Sequence, residues 1–457
     1  MLNILTKIKT AVLIVGDIVV LYFSLWLTLT LRYQKLPTPE RIDQHLLPFT
    51  IVFALWIIVF FIFKLYDLRT AKNNFSFYTT WFNSLIWCSL IGFLFFYITT
   101  TGISPKTVMI LDVALFGVIF LLWRRMFNSL IMYKRFVENV VIIGLTKETA
   151  ELAIEINSKP QMGLNVVGIV DTGAETEFES GDIELITDTT KLKVFLEEKN
   201  VRTIILGNKT ENYPEVMNEL YKSLNLKLAV FDLPTFAEKF TSKILVNTIG
   251  QMWFLENIKE SNKQFYEIMK RVVDVILALI LFIVVIIFVP FIYLIVRLTS
   301  KGPGFFMQQR TGKNGRKFMA VKFRTMYSNA ERHGPQWAQR DDPRVTKIGK
   351  YLRKTRIDEI PQLINILRGE MSFIGPRPER PEFISQLRKS IPFYETRLIV
   401  KPGLTGWAQI NFPYGATEAD AMEKLQYDLY YIKNRSLALD LSILLKTIKT
   451  VISGGGQ

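Results

Sequence analysis

The sequence predicts a membrane α-helical bundle, then a Rossmann-like α/β domain, then a C-terminal α/β domain that carries a re-entrant membrane helix. Three observations lead to this prediction: four apolar runs near the N-terminus, a middle segment that alternates short apolar and polar stretches, and a fifth apolar run broken by proline. We place the three domains at residues 1–137, 138–246 and 247–457.

The four N-terminal runs are each near the length of roughly 20 residues that crosses a bilayer. They lie at residues 10–31, 46–63, within 73–105 and at 107–123. Asp17 and Asp112 fall inside the first and fourth runs. Because an ionised group facing lipid is costly, we expect both side chains to pack toward the interior of the bundle.

Basic residues near the ends of the runs predict the orientation of the bundle, since the richer side faces the cytoplasm. One side holds Lys7, Lys9, Lys64, Arg69, Lys72, Arg124, Arg125, Lys134 and Arg135, and the other holds Arg32, Lys35, Arg41 and Lys106. The first side is therefore expected to be cytoplasmic, in a bacterial inner membrane.

The middle segment has strand-like pieces at residues 139–143, 166–170, 203–206 and 226–231, separated by helix-like stretches. This rhythm is typical of a parallel α/β domain. Gly144 follows the first piece, but the second and third glycines of a dinucleotide-binding fingerprint are missing. We therefore expect a Rossmann-like shell without a bound cofactor.

The fifth apolar run, residues 275–296, has 22 uncharged residues, and Pro290 leaves 15 of them before the break. Fifteen residues make only about 22 Å of helix. A full crossing would also carry residues 297–457, with 28 Lys and Arg against 14 Asp and Glu, out of the cytoplasm. We therefore predict a re-entrant hairpin, the alternative being a fifth span kinked by proline.

Composition limits the chemistry that the chain can perform. Its formal charge is +15, and the basic surplus suits an anionic ligand or an anionic membrane better than nucleic acid. Cys88 is the only cysteine, and His45 and His333 are the only histidines. A disulfide within the chain is impossible, and a histidine-rich zinc site or a Ser-His-Asp triad is very hard to build. The chemistry is therefore expected to use carboxylates, basic groups and a hard metal ion.

Two extended pieces, residues 305–310 and 318–324, flank an Asn-Gly turn and predict a β-hairpin. Lys322 and Arg324 would lie on one face of its second strand, because alternate residues of a strand point the same way. Solvated surface charge is the alternative explanation for these two cations.

Asp358 and Glu359 lie within a ring of basic residues. The surrounding arginines are Arg353, Arg356, Arg368, Arg377 and Arg380. We expect Pro361 to open a short helix through Leu367, which would place both acids just before a phosphate-binding helix N-terminus. Paired carboxylates beside guanidinium groups fit phosphoryl transfer, whereas a structural ion-pair network is the alternative.

An ordered set of motifs resembles the bacterial sugar transferases, also called monotopic phosphoglycosyl transferases. The motifs are KRVVD at 270–274, the proline-broken run, KFRTM at 322–326, DEIPQ at 358–362, GPRP at 375–378 and KPGLTGWAQ at 401–409. The resemblance covers about residues 265–457. With its four N-terminal helices and Rossmann-like insert, the whole chain resembles the large form of that family.

The resemblance implies that Asp358 attacks the sugar-linked phosphorus of a UDP-sugar, giving an aspartyl phosphosugar and UMP, and that undecaprenyl phosphate then takes the sugar phosphate. Glu359 would assist the acceptor or orient Mg²⁺, with Asp358 and Glu359 as the metal ligands. The residues implied in substrate binding are Lys322, Arg324, Arg353, Arg356, Gln362 and Arg377. The reaction would be the first membrane step of surface polysaccharide assembly by a homodimer, with the hexose undetermined.

Two other functions compete with this interpretation. A membrane-anchored nucleotide-sugar dehydratase would use a Tyr-x-x-x-Lys pair, and Tyr266 and Lys270 match that spacing. We attribute the match to chance, because the pair precedes the membrane hairpin and Lys270 belongs to the transferase motif. A non-enzymatic assembly scaffold would leave the clustered acids and arginines unexplained.

Overall fold

The protein is described by a computed structural model. It describes residues 2–99, 106–132, 137–171, 181, 183–207, 214–258, 263–330, 334, 336, 342–412, 415 and 417–452. Lys134, Arg135 and His333, which entered the sequence analysis, lie outside these residues. The chain divides into two compact units, Met1–Lys239 and Phe240–Gln457. Ile244 and Val246 belong to the core of the second unit.

Four long apolar helices begin the first unit, as predicted. They are α1 (Leu2–Tyr33), α2 (Pro39–Ile62), α3 (Phe75–Ile98) and α4 (Lys106–Ile131). Each is long and apolar enough to cross a membrane. Aromatic side chains fill the space between α2 and α4, with Phe60 stacked on Phe116 and Phe120. Cys88 is buried on α3 as a small apolar residue.

The two acids inside the helices pack toward the interior, as expected. Asp17 is completely buried and pairs with Arg124 of α4, whose Nη1 also donates to the Leu65 carbonyl at 2.6 Å. Asp112 is completely buried as well, and its Oδ1 accepts from Ser24 Oγ at 2.9 Å. Both contacts join α1 to α4, so the polar groups specify which helices pair.

A five-stranded parallel sheet completes the first unit and confirms the predicted α/β rhythm. The strands are β1 (Glu138–Ile143), β2 (Leu164–Val170), β3 (Glu184–Ile186), β4 (Val201–Leu206) and β5 (Ala229–Asp232), in the order β3-β2-β1-β4-β5. The helices are α5 (Lys147–Asn157), α6 (Leu192–Glu198), α7 (Pro214–Lys222) and α8 (Leu233–Thr241). Strand β3 was not predicted, because its three residues are too few to show a pattern.

The turn after β1 shows why Gly144 occupies that position. Its φ of +93° lies in the region that favours glycine, and Thr146 then caps the N-terminus of α5. Beyond the ends of β1 and β4, Gly207 N still donates to the Ile143 carbonyl at 2.8 Å. This bond is the last one between the two parallel strands, since Ile143 ends β1 and pairs with Leu206 of β4.

The second unit begins with three helices, α9 (Gln251–Asn257), α10 (Gln264–Val285) and α11 (Val289–Thr299). The axes of α10 and α11 meet at a bend of 66°. Pro290 lies in the first turn of α11, where a missing N–H is tolerated, and the helical conformation is interrupted between Val285 and Val289. The proline therefore interrupts the apolar run at the predicted place.

The remaining elements form a compact α/β layer. They are β6 (Phe305–Thr311), β7 (Lys317–Phe323), α12 (Lys347–Lys354), a 3₁₀ helix (Ile357–Gln362), α13 (Leu363–Arg368), β8 (Ser372–Ile374), α14 (Pro381–Ser390), a 3₁₀ helix (Tyr394–Ile399), β9 (Gly403–Thr405), α15 (Trp407–Asn411), α16 (Glu418–Asn434) and α17 (Leu437–Ile452). Strands β6 and β7 form the predicted antiparallel hairpin, and β8 pairs with β9 in parallel. Apolar residues of α13, α16 and α17 supply much of the core.

Buried polar contacts fasten α10 to this layer. Lys270 Nζ lies 2.8 Å from Asp440 Oδ2, and Tyr266 OH donates to the same oxygen at 2.8 Å. Asp274 Oδ1 accepts from Ser372 Oγ and from the Phe373 amide, each at 3.1 Å. The Tyr-x-x-x-Lys spacing thus serves the attachment of α10 to α17, which removes the main support for a dehydratase.

Candidate active site

Asp358 and Glu359 line a cavity of about 720 Å³ in the second unit. Its walls are rich in cations: Arg310, Lys322, Arg324, Arg344, Arg353, Arg356, Arg377, Arg380, Arg397 and Lys424. Apolar side chains, among them Phe383 and Phe412, line another part of the same cavity. A space with this volume and positive charge suits a nucleotide-sized anionic ligand.

The backbone around the two acids differs from the sequence prediction. Both lie in the first turn of the 3₁₀ helix Ile357–Gln362, and Pro361 is inside that helix and does not open α13. Arg356 precedes it with φ +58°, and Glu359 N donates to the Arg356 carbonyl at 3.2 Å. The expected α-helix N-terminus next to the acids was wrong. Side chains, not a helix dipole, therefore provide the positive charge here.

Glu359 is surrounded by three cations. Its Oε1 lies 3.0 Å from Lys322 Nζ and 2.9 Å from Arg377 Nη2, and its Oε2 lies 3.5 Å from Arg356 Nη1. Burial alone would raise the pKa of Glu359, but the three positive charges outweigh it and hold the pKa below its ordinary value. Glu359 is therefore ionised, and its oxygens are engaged.

Asp358 has the opposite environment although it is the adjacent residue. It is buried, and its Oδ1 has no hydrogen-bond partner among the residues that the structure describes. Burial and the negative charge of Glu359 raise its pKa, more than the nearby cations Lys322 and Arg353 lower it. Neighbouring carboxyl groups with pKa values pushed apart are a feature of active sites with separate roles for each group.

Two arginines of the predicted site are held by further contacts. Arg353 Nε donates to Thr325 Oγ1 at 2.9 Å. The backbone carbonyl of Arg377 accepts from Arg397 Nη2 at 3.0 Å, and Arg397 forms a buried ion pair with Asp428 at 2.8 Å. Sequence reasoning missed Arg397, because it lies in a segment that matches none of the quoted motifs.

Two other predicted residues lie away from the acids' immediate contacts. Arg324 lines the cavity, but its guanidinium donates to the carbonyls of Ser300 and Lys301 at 2.6 and 3.2 Å. Gln362 is buried, and its Nε2 has no hydrogen-bond partner within the described part of the chain. The structure thus brings Lys322, Arg356 and Arg377 onto Glu359 and leaves the substrate-binding roles as predictions.

The donor groups fit a magnesium ion only in part. No cluster of three or more His, Cys, Asp or Glu side chains occurs among the described residues. Magnesium is commonly bound by one or two carboxylates, with substrate phosphates and water completing its shell. Asp358 Oδ1 is available for such a bond, whereas the oxygens of Glu359 already contact three cations.

Comparison with known proteins places these features in a family. The family described as "Bacterial sugar transferase" matches residues 265–454, and the family described as "CoA-binding domain" matches residues 51–224. Solved structures match weakly: a Rex-family repressor gives a TM-score of 0.20 at 16% identity over 27% of this chain and 65% of its own.

Curated relatives match over larger shares. The UDP-N-acetylgalactosamine-undecaprenyl-phosphate N-acetylgalactosaminephosphotransferase of Aeromonas hydrophila is 47% identical over 50% of this chain and 53% of its own. The undecaprenyl-phosphate glucose phosphotransferase of Komagataeibacter xylinus is 32% identical over 70% of this chain and 60% of its own.

A third relative extends the match to two thirds of its length. The UDP-glucose:undecaprenyl-phosphate glucose-1-phosphate transferase of Xanthomonas campestris pv. campestris is 32% identical over 69% of this chain and 67% of its own. The chain thus spans about half to two thirds of the length of these three relatives. With the matched region containing the acid pair and its cations, this chain belongs to the bacterial sugar transferase family.

Proposed function

We propose that this protein transfers a hexose 1-phosphate from a UDP-sugar to undecaprenyl phosphate and releases UMP, as the first membrane step of surface polysaccharide assembly. The observation that carries the proposal is the pair of unlike carboxyl groups: Asp358 Oδ1 is buried without a hydrogen-bond partner among the described residues, and Glu359 is held by three cations. The names of all three relatives give undecaprenyl phosphate as the acceptor, and two of them give a UDP-sugar as the donor.

The first half-reaction forms a covalent intermediate. An oxygen of Asp358 attacks the phosphorus that bears the sugar, and the bond from this phosphorus to the bridging oxygen of UMP breaks. UMP leaves with the electron pair, and the sugar phosphate stays on the Asp358 carboxylate. Lys322, Arg353 and Arg377 offer positive charge to the phosphate oxygens as the bond order changes.

The second half-reaction restores the enzyme. A phosphate oxygen of undecaprenyl phosphate attacks the same phosphorus, the bond between Asp358 and phosphorus breaks, and undecaprenyl diphosphate sugar leaves. Asp358 returns as a free carboxylate. Magnesium, when bound through Asp358 or Glu359, would neutralise phosphate charge.

Asp358 is favoured over Glu359 as the nucleophile for two reasons. A nucleophilic oxygen has to be free, whereas the Glu359 carboxylate accepts from Lys322 and Arg377 and forms an ion pair with Arg356. A carboxylate with a raised pKa is also more basic, hence more nucleophilic when ionised, and the pKa of Asp358 is raised by burial and by the charge of Glu359. Glu359 is better suited to fix the cations around the phosphate.

The membrane arrangement that we propose is a re-entrant hairpin formed by α10 and α11, with the catalytic layer in the cytoplasm of a bacterial inner membrane. The 66° bend and the exposed apolar side chains around it, such as Ile283 and Ile287, support this arrangement. The basic surplus of residues 297–457 favours the cytoplasmic side. A fifth, broken span is the alternative.

The covalent step is tested without the lipid acceptor. Wild-type protein mixed with a UDP-sugar and Mg²⁺ should release about one UMP per active site in a burst and gain the mass of a sugar phosphate, seen by intact-protein mass spectrometry after acid quench. Asp358→Asn keeps the side-chain shape but should abolish both signals. A panel of UDP-N-acetylgalactosamine, UDP-glucose and UDP-galactose identifies the preferred donor.

Glu395→Gln, which removes an exposed partner of Arg388, is the control variant and should behave like wild type. Release of UMP only when undecaprenyl phosphate is present, with no adduct at any time, would indicate direct attack of the lipid on the UDP-sugar. Persistence of the adduct in Asp358→Asn would show that another residue is the nucleophile.

A further inference from the structure

Arg324 joins the end of the bent helix pair to the strand that leads into the cavity. Its Nη2 donates to the Ser300 carbonyl at 2.6 Å and to Ser300 Oγ at 2.9 Å, and its Nη1 donates to the Lys301 carbonyl at 3.2 Å. Its backbone N also donates to the Gly304 carbonyl at 2.8 Å. Residues 300–304, here called the elbow, directly follow α11, so Arg324 connects α11 with β7.

A side chain at either glycine of the elbow would have to displace a neighbouring side chain. Gly302 has φ +121°, and a Cβ there would overlap Arg324 Nη1. A Cβ at Gly304 would overlap the ring of Tyr293, which belongs to α11. The elbow is therefore a closely fitted connection between α11 and Arg324.

The chain on the other side of Arg324 is anchored independently. Thr325 presents its Oγ1 to Arg353 Nε at 2.9 Å and its carbonyl to Thr346 N at 2.9 Å. A Cβ at Gly349 would overlap the same carbonyl, so α12 packs directly on Thr325. We therefore expect Arg353, which lines the same cavity as Asp358, to stay in place when the Arg324 contacts are lost.

We propose that Arg324 is a positioning residue for the acceptor half-reaction. This inference rests on the proposed function. The UDP-sugar enters the cavity from water, so its approach to Asp358 does not depend on the position of α11. The phosphate of a lipid acceptor, in contrast, is held at a depth set by the bilayer. If α11 lies in the membrane, the Arg324 contacts with the elbow set the distance between the cavity and that phosphate.

The test separates the two half-reactions in full-length protein reconstituted into lipid nanodiscs. In Arg324→Gln the UMP burst should fall much less than the discharge of the adduct, because the guanidinium is engaged by the elbow carbonyls and Thr325 and Arg353 keep their own contacts. Discharge of the adduct by undecaprenyl phosphate should slow at least about tenfold, since a displacement of even 1 Å between reacting groups is costly. Gly302→Ala should also slow the discharge much more than the burst, because its Cβ would displace the Arg324 guanidinium.

Ser300→Ala is the matched control, because it removes one hydroxyl but leaves both carbonyl acceptors, and it should discharge within about twofold of wild type. A short, water-soluble polyprenyl phosphate is not held at a bilayer depth, so it should discharge Arg324→Gln at the wild-type rate. This rescue distinguishes a positioning role from damage to the site.

Three outcomes would overturn the proposal: a parallel loss of burst and discharge, normal discharge by undecaprenyl phosphate in Arg324→Gln, or a failure of the soluble acceptor to rescue. If wild type forms no adduct, the covalent step of the proposed function fails. Arg324 is then judged on steady-state turnover alone, where Arg324→Gln must still lower the ratio of undecaprenyl phosphate to soluble acceptor turnover.

Discussion

At the scale of single residues, two neighbouring carboxyl groups differ because different side chains reach them. Glu359 contacts Lys322, Arg356 and Arg377, while Oδ1 of the buried Asp358 has no hydrogen-bond partner in the part of the chain that the structure describes. The cations lower the pKa of Glu359 against the effect of burial, and burial with the charge of Glu359 raises the pKa of Asp358. One electrostatic cluster thus gives the two acids different pKa values, which fits the proposed roles of Glu359 as an anchor for cations and Asp358 as the nucleophile.

The raised pKa of Asp358 predicts the pH dependence of adduct formation. Only the carboxylate attacks phosphorus, and a raised pKa means that protonation removes the carboxylate as pH falls through a value above the ordinary 3.8. Glu359→Gln deletes a negative charge that raises this pKa. The acid limb of the pH–rate profile for the UMP burst should therefore move to lower pH in this variant, while the maximal burst rate falls. Burst rates measured across pH check this. An acid limb that stays fixed or moves upward in Glu359→Gln would contradict it.

A second residue-scale prediction concerns Arg397, which donates to the Arg377 carbonyl at 3.0 Å. Arg397→Lys keeps the buried charge opposite Asp428 but cannot reach both partners, because lysine lacks the planar fork of arginine. We expect the burst rate to fall about tenfold as Arg377 loses its fixed position. Tyr394→Phe is the control, since it removes another partner of Arg397 and leaves the Arg377 contact. Equal losses in both variants, or a normal burst in Arg397→Lys, would exclude this role.

At the scale of elements, the break between α10 and α11 is the feature on which the proposed hairpin rests. Val285 ends the first helix, Val289 begins the second, and Pro290 occupies a first turn that needs no N–H. Lys270 and Asp274 fix the first helix to the catalytic layer. The bend is thus specified by the proline, and its placement is specified by buried polar contacts.

Replacing Pro290 tests the hairpin. Pro290→Leu restores a backbone donor and favours one continuous helix, so part of the protein should insert as a span and carry its C-terminal layer outward. A Ser385→Cys substitution on exposed α14, in a Cys88→Ser background, reports the side by labelling with an impermeant thiol reagent in intact cells. The parent should label only after permeabilisation, and Pro290→Leu should label partly in intact cells. Labelling of the parent in intact cells would show that α10 and α11 cross the membrane.

At the scale of the whole molecule, the chain combines a helical bundle with a parallel sheet in its first unit and a cation-rich cavity in its second. The chemistry proposed here uses residues of the second unit only. The sequence predicts a homodimer, and mass photometry of nanodisc-embedded protein, which measures the number of subunits in each particle, tests that prediction.

The sheet yields a prediction about nicotinamide cofactors. The two further glycines that let a backbone approach a pyrophosphate are missing after Gly144, and Gly207 N bonds to the Ile143 carbonyl across the strand ends. We therefore expect no saturable binding of NAD or NADH to the full-length protein in calorimetric titrations. UDP-sugar titrated into the same preparation is the positive control. Saturable cofactor binding would require a different role for the first unit.

The sequence by itself determined the features that depend on local pattern. The length of the apolar runs predicted the four helices, and the alternation of apolar and polar stretches predicted the parallel sheet. The Asn-Gly turn predicted the hairpin, and Pro290 predicted the break in the fifth apolar run. The pair Asp358 and Glu359 with its arginines was also visible, and the ordered motifs pointed to the family. Each of these features depends on residues that are close in sequence, because hydrophobic periodicity and turn preferences are local properties of the chain.

Only the tertiary structure decided which cations contact which acid, that the acids lie in a 3₁₀ helix, that Arg397 holds the Arg377 carbonyl, and that Arg324 bonds to the elbow. These contacts join residues that are distant in sequence, and no local pattern records them. The pKa values of Asp358 and Glu359 depend on burial and on charges brought in by other elements, so adjacent residues of similar chemistry acquire different roles only when the chain is folded.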